Sequence, residues 1–90
     1  MYYVYIVKCT DDTLYTGIAT ELERRIDEHN SSDKGAKYTK ARRPVELVYF
    51  EEYPDRSTAS KREYRIKKKM TREEKLRLIM KNKLMEKNEN

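Results

Sequence analysis

Aromatic and β-branched residues fill positions 2–9 almost without a break. Such a run predicts a strand that is covered on both faces and lies in the middle of its sheet. Turn-forming residues follow, and the β pattern resumes over residues 14–18. The two segments therefore predict a β-hairpin.

The register of this hairpin decides whether two of its tyrosines share a face. A two-residue loop at 11–12 would send Tyr5 and Tyr15 to opposite faces. A three-residue loop at 11–13 would put both on one face and would pair Val7 with Gly17. The sequence leaves both registers open, and a site shared by the two phenols requires the second.

Helix signals mark most of the remaining chain. Thr20 and Glu23 form a capping-box pattern. In order, the pattern predicts a helix over 21–30, a basic loop over 31–43, a strand over 45–53, a helix from a cap at Ser57 or Thr58 to about Met70, and a third helix opened by a capping box at 71–74. From residue 81 the chain is polar, so we expect one domain over 1–82 and a frayed tail over 83–90.

Length and composition limit the number of domains and indicate the chemical class of the binding partner. Ninety residues allow one domain with a modest core, and 41% of them are charged. The net charge of +5 favours a polyanionic partner, of which nucleic acid is the commonest. The basic residues concentrate in the predicted loop and on the outer face of the second helix. Those expected to contact phosphates are Lys34, Lys37, Lys40, Arg42, Arg43, Arg62, Arg65, Lys68 and Lys69.

The single cysteine, Cys9, excludes an internal disulfide, and no further Cys or His stands at zinc-ligand spacing. The sequence shows neither a signal peptide nor an apolar run long enough to span a membrane. We therefore expect a cytoplasmic protein that has no membrane partner.

Two chemically capable residues lie on the apolar side of the first predicted helix. At about 100° per residue, Arg25 and His29 share the side of Leu22, while Glu28 is predicted to face solvent. A guanidinium beside apolar side chains costs desolvation unless it meets an acid or an oxyanion. The plainer alternative is an arginine stem that covers the sheet edge and a histidine satisfied by a backbone carbonyl.

A carboxylate interrupts the apolar stripe of the second helix. Glu63 lies within about 60° of Ala59 and Ile66. One carboxylate completed by waters suits Mg²⁺. The alternative is an ion pair of Glu63 with Lys67 or with Arg25.

The blocks YVYIVKC, LYTGIATELERRIDEHN, KYTKARRPVELVY and SKREYRIKK resemble the GIY-YIG nuclease superfamily, and more narrowly its small stand-alone bacterial members, the YhbQ/YazA-like proteins. The resemblance covers about residues 2–80. It implies an α+β fold, with a three-stranded antiparallel sheet flanked by about three helices. The residues that carry it, with Gly17 as a structural motif, are Tyr5, Tyr15, Gly17, Arg25, His29 and Glu63.

The chain departs from the pattern of that superfamily in three ways. The first motif reads Tyr3-Val4-Tyr5 in place of Gly-Ile-Tyr. Thr16 replaces an isoleucine, and Ile18 stands where the excision-repair members carry a lysine. The last departure removes a candidate proton donor.

The resemblance also implies a role for each site residue. Tyr5 and Tyr15 would position or deprotonate the attacking water. Arg25 would stabilise the charge that develops around phosphorus, and His29 would assist proton transfer or contact the phosphate. Glu63 would hold one divalent ion, Mg²⁺ or Mn²⁺.

We therefore expect a metal-dependent endonuclease that hydrolyses phosphodiester bonds of nucleic acid, with DNA as the favoured substrate and a partner protein as a source of specificity. Two alternatives stay open. One is a non-catalytic nucleic-acid-binding module that retains the pocket as a phosphate site. The other is a small basic protein that docks on an acidic partner.

Overall fold

The computed structural model describes residues 1–31 and 33–88, with side chains as far as residue 83. Within these residues the elements are β1 (Tyr2–Lys8), β2 (Leu14–Ala19), α1 (Leu22–Ser31), α2 (Lys37–Lys40), β3 (Glu46–Tyr53), α3 (Arg56–Tyr64), a π-helical segment (Arg65–Lys69) and α4 (Arg72–Asn88). The three strands form one antiparallel sheet in the order β2-β1-β3. The predicted α+β fold and the central position of the first strand are confirmed.

The hairpin between β1 and β2 closes through a three-residue loop at positions 10–12. The Cys9 N–H donates to Thr13 O at 2.9 Å. Asp12 has a φ of 67°, which is the left-handed position that closes loops of this length. Asp11 accepts a hydrogen bond from the Thr13 N–H at 3.2 Å and so ties the turn to the start of β2.

This loop sets the register of the hairpin. Tyr5 pairs with Gly17, and Val7 pairs with Tyr15. The predicted pairing of Val7 with Gly17 is wrong, because the loop begins one residue earlier than position 11. The resulting shift of two residues preserves the faces, so Tyr5 and Tyr15 lie on the same side of the sheet, as a shared site requires.

Helices cover both faces of this sheet. One face buries Val4 and Ile6 against Ala59 of α3, Ile66 of the π-helical segment and Ile79 of α4. The opposite face buries Tyr5 and Val7 beneath α1. Two small cores therefore hold β1 from both sides, which explains its nearly continuous apolar sequence.

The N-termini of α3 and α4 differ in how well the sequence predicted them. Asp55 caps α3, since its carboxylate accepts from the Thr58 N–H at 2.8 Å, so the predicted cap at position 57 or 58 is wrong. At α4 the predicted capping box is confirmed. Thr71 N–H donates to Glu74 at 2.9 Å, and Glu74 N–H donates to the Thr71 hydroxyl at 3.2 Å.

The helices also depart from the predicted lengths. The predicted basic loop contains the short helix α2, and the second helix changes to π geometry after Tyr64 instead of continuing as an α-helix to Met70. The backbone of α4 is helical as far as Asn88, and residues 89–90 of the predicted frayed tail lie outside the described residues. No described helix is both long enough and apolar enough to cross a membrane.

A charged cluster lies on the face of the sheet that α3 covers. The Glu51 carboxylate accepts two hydrogen bonds from the Arg62 guanidinium, at 2.8 and 2.9 Å, and further ones from the hydroxyls of Tyr49 and Tyr53. Burial alone would raise the pKa of Glu51, but these hydrogen bonds outweigh it and hold the pKa below its usual value. The prediction that Arg62 lies on the basic outer face is wrong, because Glu51 holds its guanidinium against the sheet.

Glu51→Ala should lower the free energy of unfolding by about 2–3 kcal/mol, since it leaves the Arg62 guanidinium without its acceptor. Urea denaturation at neutral pH measures the change. Glu52→Ala, at the neighbouring exposed position, is the control and should change the value by less than about 0.5 kcal/mol. Equal effects of the two substitutions would contradict a stabilising role for the cluster.

The Thr16 side chain, which departs from the GIY-YIG pattern, is 2% exposed. Its hydroxyl has no hydrogen-bond partner within the described residues. Thr16→Val has nearly the same shape and removes this unsatisfied group, so it should raise the free energy of unfolding by about 1 kcal/mol. Thermal and urea unfolding measure the gain, and a loss of stability would show that the hydroxyl is satisfied in solution.

Candidate active site

The five predicted catalytic residues converge at the β2 edge of the sheet. Tyr5 and Tyr15 come from the strands, and α1 supplies Arg25 and His29. Glu63 comes from α3, which passes beside β2 together with the π-helical segment. The Tyr15 ring contacts the His29 ring, and the charges of Arg25 and Glu63 act on both phenols, so the five side chains lie around one edge of the sheet. Their catalytic roles stay predictions.

A buried chain of hydrogen bonds links β1, α1 and α2. The Tyr5 hydroxyl lies 2.7 Å from His29 Nε2, and His29 Nδ1 lies 2.8 Å from the Thr39 hydroxyl. All three side chains are fully buried. The alternative in which a backbone carbonyl satisfies the histidine ring is therefore wrong.

The direction of the protons in this chain follows from the Thr39 hydroxyl. The Thr39 hydroxyl has one hydrogen atom, which it donates in a hydrogen bond to the Ala36 carbonyl at 2.9 Å. Toward the histidine it therefore acts as the acceptor, and His29 Nδ1–H is the donor. The Ala36 N–H approaches the same nitrogen at 3.4 Å, which is too long to compete. We therefore assign a neutral His29 whose Nε2 accepts a hydrogen bond from the Tyr5 hydroxyl.

The ionisation of both groups agrees with this assignment. Burial raises the pKa of Tyr5 to about 12, against the lowering effect of Arg25. Burial, and then the positive charge of Arg25, lower the pKa of His29 to about 4. At neutral pH the pair is thus a phenol and an uncharged imidazole.

Gly17 lets the Tyr5 ring lie against β2. A Cβ atom at this position would stand 2.3 Å from the Tyr5 hydroxyl oxygen and 2.5 Å from the ring carbon that bears it. Any side chain here would displace the phenol. The structural role predicted for Gly17 therefore has a steric basis.

The Arg25 guanidinium is fixed by two partners at the base of the site. Its Nη1 donates to the Glu28 carboxylate at 3.1 Å and to the Lys34 carbonyl at 2.7 Å. The prediction that Glu28 is an ordinary solvated charge is wrong, since it orients Arg25 and its side chain is only 20% exposed. The Arg25 side chain is 27% exposed, which leaves it accessible to a ligand.

Tyr15 is the more accessible of the two phenols. Its ring makes an edge contact with His29 at a centroid distance of 5.5 Å and stacks on Tyr38 at 5.8 Å. The Lys67 ammonium lies 5.1 Å from the ring centroid. Burial raises the pKa of Tyr15, the charge of Arg25 lowers it, and that of Glu63 raises it.

Glu63 is half-buried, yet within the described residues its carboxylate makes no hydrogen bond or ion pair. The alternative pairings with Lys67 and Arg25 are therefore not formed. No cluster of three or more His, Cys, Asp or Glu side chains among the described residues could hold a metal. An unpaired carboxylate beside two phenols fits one hard divalent cation whose other ligands are waters and substrate oxygens.

The predicted phosphate-binding residues fall into three groups. Arg42 and Arg43 are anchored, Arg42 to Asp11 at 3.1 Å and Arg43 to the His29 carbonyl. Arg62 is held by Glu51. The remaining members have exposed side chains, and one of them, Lys40, lies 3.9 Å from Asp33. They are Lys34, Lys37, Lys40, Arg65, Lys68 and Lys69.

The sequence interpretation missed four residues of the site: Glu28, Tyr38, Thr39 and Lys67. The spacing of Arg25 and Glu28, three apart on one helix, is a signal that could have revealed the first. Tyr38 is an aromatic residue within a basic run, which is a second such signal. Nothing in the sequence pattern marks Thr39 or Lys67, because their contacts depend on α2 and on the π-helical segment.

A cavity of about 610 Å³ lies away from these residues, between α1 and β3, where it is lined by Tyr3, Leu22 and Phe50 among others. It contains none of the five predicted catalytic side chains. Arg25 and Glu28 instead line a smaller cleft of about 220 Å³ beside Thr20 and Glu21.

Comparison with known proteins identifies the relatives of this chain. The UPF0213 protein of Desulfotalea psychrophila is 68% identical over 66 residues, which are 73% of this chain and 60% of that protein. The UPF0213 protein of Staphylococcus epidermidis is 58% identical over 78 residues, which cover 87% of this chain and 93% of the relative. The first of these relatives is thus longer than the region it shares.

Solved structures agree with the sequence comparison. The NMR structure of the UPF0213 protein from Bacillus halodurans superposes with a TM-score of 0.56 at 42% identity, over 89% of this chain and 84% of the other. The NMR structure of an E. faecalis protein gives a TM-score of 0.61 at 42% identity, over 92% and 86%.

A sequence profile described as the GIY-YIG catalytic domain matches residues 1–77. These residues include every side chain that converges at the β2 edge. The chain therefore belongs to the GIY-YIG family, and within it to the small UPF0213 proteins.

Proposed function

We propose that this domain is a metal-dependent endonuclease that hydrolyses phosphodiester bonds of nucleic acid, with DNA as the favoured substrate. The observation that carries the proposal is the meeting of two phenols, a guanidinium, a neutral imidazole and an unpaired carboxylate at one sheet edge. Membership of a nuclease family supports it. The exposed lysines of the 34–40 segment and of the π-helical segment supply the positive surface for the phosphate backbone.

Glu63 is the residue that would hold the divalent ion, Mg²⁺ or Mn²⁺. When bound, such an ion supplies an acidified water and positive charge beside a non-bridging phosphate oxygen. A single half-buried carboxylate without a protein partner is consistent with that task. The remaining steps depend on the chain's own side chains.

Arg25 stabilises the extra negative charge that develops on the phosphate oxygens in the transition state. Glu28 and the Lys34 carbonyl occupy its Nη1, so the guanidinium is already oriented before substrate arrives. Such preorganised charge accelerates a reaction because it needs no rearrangement when charge develops. Arg25 keeps its proton throughout, so it acts only as a fixed cation.

Tyr15 is the phenol that contacts the attacking water, because it is only partly buried whereas Tyr5 is fully buried. A phenol with a raised pKa is a poor base at neutral pH. The Glu63 carboxylate contributes to that raised value, so compensation of its charge would lower the pKa of Tyr15 and increase the fraction of the ionised phenolate, the form that can accept a proton. Tyr5 is a positioning residue, whose hydroxyl donates a hydrogen bond to His29 and whose oxygen interacts with Arg25.

A second candidate function, a non-catalytic nucleic-acid-binding module, is favoured by the raised pKa values of both phenols. In that case Arg25 and the basic surface would bind a phosphate without cleaving its ester. Binding and cleavage measured on the same variants separate the two candidates. A cytoplasmic location and a protein partner that gives specificity stay predictions.

Glu63→Gln and Arg25→Ala should each reduce the cleavage of branched or single-stranded DNA in Mg²⁺ or Mn²⁺ by about 100-fold or more. Glu23→Gln, an exposed carboxamide substitution on α1, is the matched control and should cleave normally. Gel-based rates with purified protein, with and without chelator, give the comparison. Cleavage by Glu63→Gln at the control rate would rule out the proposed role of Glu63, and binding without cleavage in the unmodified protein would favour the binding module.

His29 is the only histidine, so its ring proton resonance reports its pKa directly in an NMR titration. We expect a midpoint near pH 4. Because the folded-state pKa lies below the unfolded value of about 6.5, the neutral ring stabilises the fold above pH 6.5, and this contribution of up to roughly 3 kcal/mol is lost as pH falls through 4. A midpoint near 6.5 would contradict the buried, neutral assignment.

The same linkage predicts a difference between the unmodified protein and His29→Gln. Carboxylates titrate in both proteins over this range, so only the difference between their stability profiles reports His29. The unmodified protein should lose more stability than the variant between pH 6.5 and 4 in urea unfolding experiments. Parallel profiles would count against the assignment.

A further inference from the structure

A stack of planar side chains leads outward from the candidate active site. The ring of Tyr15 stacks on Tyr38, with planes inclined by 22°, and the Arg42 guanidinium carbon lies 3.9 Å from the centroid of the Tyr38 ring. Tyr38 is 37% exposed and the Arg42 side chain 34% exposed. The stack therefore begins beside the catalytic groups and ends at solvent.

The outer part of this stack is held in place before any ligand binds. Arg42 Nη1 donates to the Tyr38 carbonyl at 2.8 Å, and Arg42 Nε donates to the Asp11 carboxylate at 3.1 Å. These bonds fix the guanidinium against the ring and tie the segment that carries α2 to the hairpin loop. Because these side chains are already ordered, binding of a planar ligand would cost little conformational entropy of the protein.

The charges around the stack indicate which planar ligand fits. Lys37 and Lys40 are exposed on α2, and the Lys67 ammonium lies over the Tyr15 ring. Aromatic rings among cations are typical of surfaces that bind single-stranded nucleic acid, where the bases stack and the phosphates meet the cations. In a duplex each base is already stacked on its neighbours, so it is not available to such a surface.

We propose that the outer, Arg42 end of the Tyr15–Tyr38–Arg42 stack binds an unpaired nucleobase next to the scissile phosphate, so that the substrate is single-stranded or splayed nucleic acid. This inference rests on the proposed function for the position of the scissile phosphate. Tyr38 and Arg42 extend the stack begun by Tyr15 and select the strand by its unpaired base. The exposed lysines contact phosphates of both single and double strands and do not discriminate between them.

Binding measurements without chemistry test the stack. In a Glu63→Gln background with chelator present, fluorescence anisotropy compares a labelled oligodeoxythymidylate with a duplex of the same length. Tyr38→Leu and Arg42→Lys should each weaken binding of the single strand about tenfold, because one stacked base contributes about that much. Duplex binding should change by less than about twofold, since Arg42→Lys keeps the positive charge that duplex phosphates contact, while it loses the planar guanidinium and the hydrogen bonds that hold it on Tyr38.

Two matched substitutions control for loss of an exposed ring or guanidinium. Tyr64→Leu removes an aromatic residue that is 57% exposed on α3, and Arg72→Lys changes an exposed arginine of α4. Neither should alter the preference for the single strand. Thermal unfolding of each variant establishes that it is folded, and the conservative Arg42→Lys decides the question if Tyr38→Leu does not fold.

The outcomes separate this inference from the proposed function. Equal losses on both probes, or unchanged single-strand affinity in Arg42→Lys, would overturn the stack as a base-binding site. Stack-dependent preference for the single strand in a protein that never cleaves DNA would support the inference while refuting the nuclease. Cleavage of duplex and single strand at rates that Tyr38→Leu does not alter would refute the inference and leave the nuclease intact.

Discussion

The hydrogen bond between the Tyr5 hydroxyl and His29 Nε2, 2.7 Å long and fully buried, joins the central strand to the first helix. Both groups are polar, so burying them against the hydrophobic face of the sheet would be costly without the hydrogen bond between them. The bond fixes how far α1 stands from β1, and through α1 it sets the position of Arg25. Thr39 extends the same chain to α2, so three elements of the site are located by one set of polar contacts.

Two opposite charges act on the pair of phenols. Arg25 favours the ionised form of Tyr5 and Tyr15, whereas Glu63 disfavours it. The helices that carry these charges pack on different sides of the sheet. The electrostatics of the site therefore depend on the whole layered fold, and a change in either helix position alters the acidity of both tyrosines.

The parts of this fold that follow a periodic pattern could be predicted from the sequence. The central strand, the antiparallel sheet, the capping box at Thr71 and the shared face of Arg25 and His29 all follow from two- or 3.6-residue spacing. Contacts between residues that are distant in the sequence could not be predicted in this way. Arg62 has the spacing of a solvated residue, yet Glu51, on a strand eleven residues earlier, holds it by two hydrogen bonds. Tyr38 and Thr39 reach the site only because a segment without apolar rhythm forms α2.

Two adjacent residues of the π-helical segment Arg65–Lys69 make different contacts. Ile66 is fully buried in the core, while the ammonium of the next residue, Lys67, lies over the ring of Tyr15 on β2. In π geometry each turn holds one residue more than in an α-helix, and such turns are often found at functional sites. Removal of a single residue would turn everything after it by about 100° around the helix axis, moving α4 out of register with the sheet. The contacts that Ile66 and Lys67 make on either side of this segment therefore constrain its length.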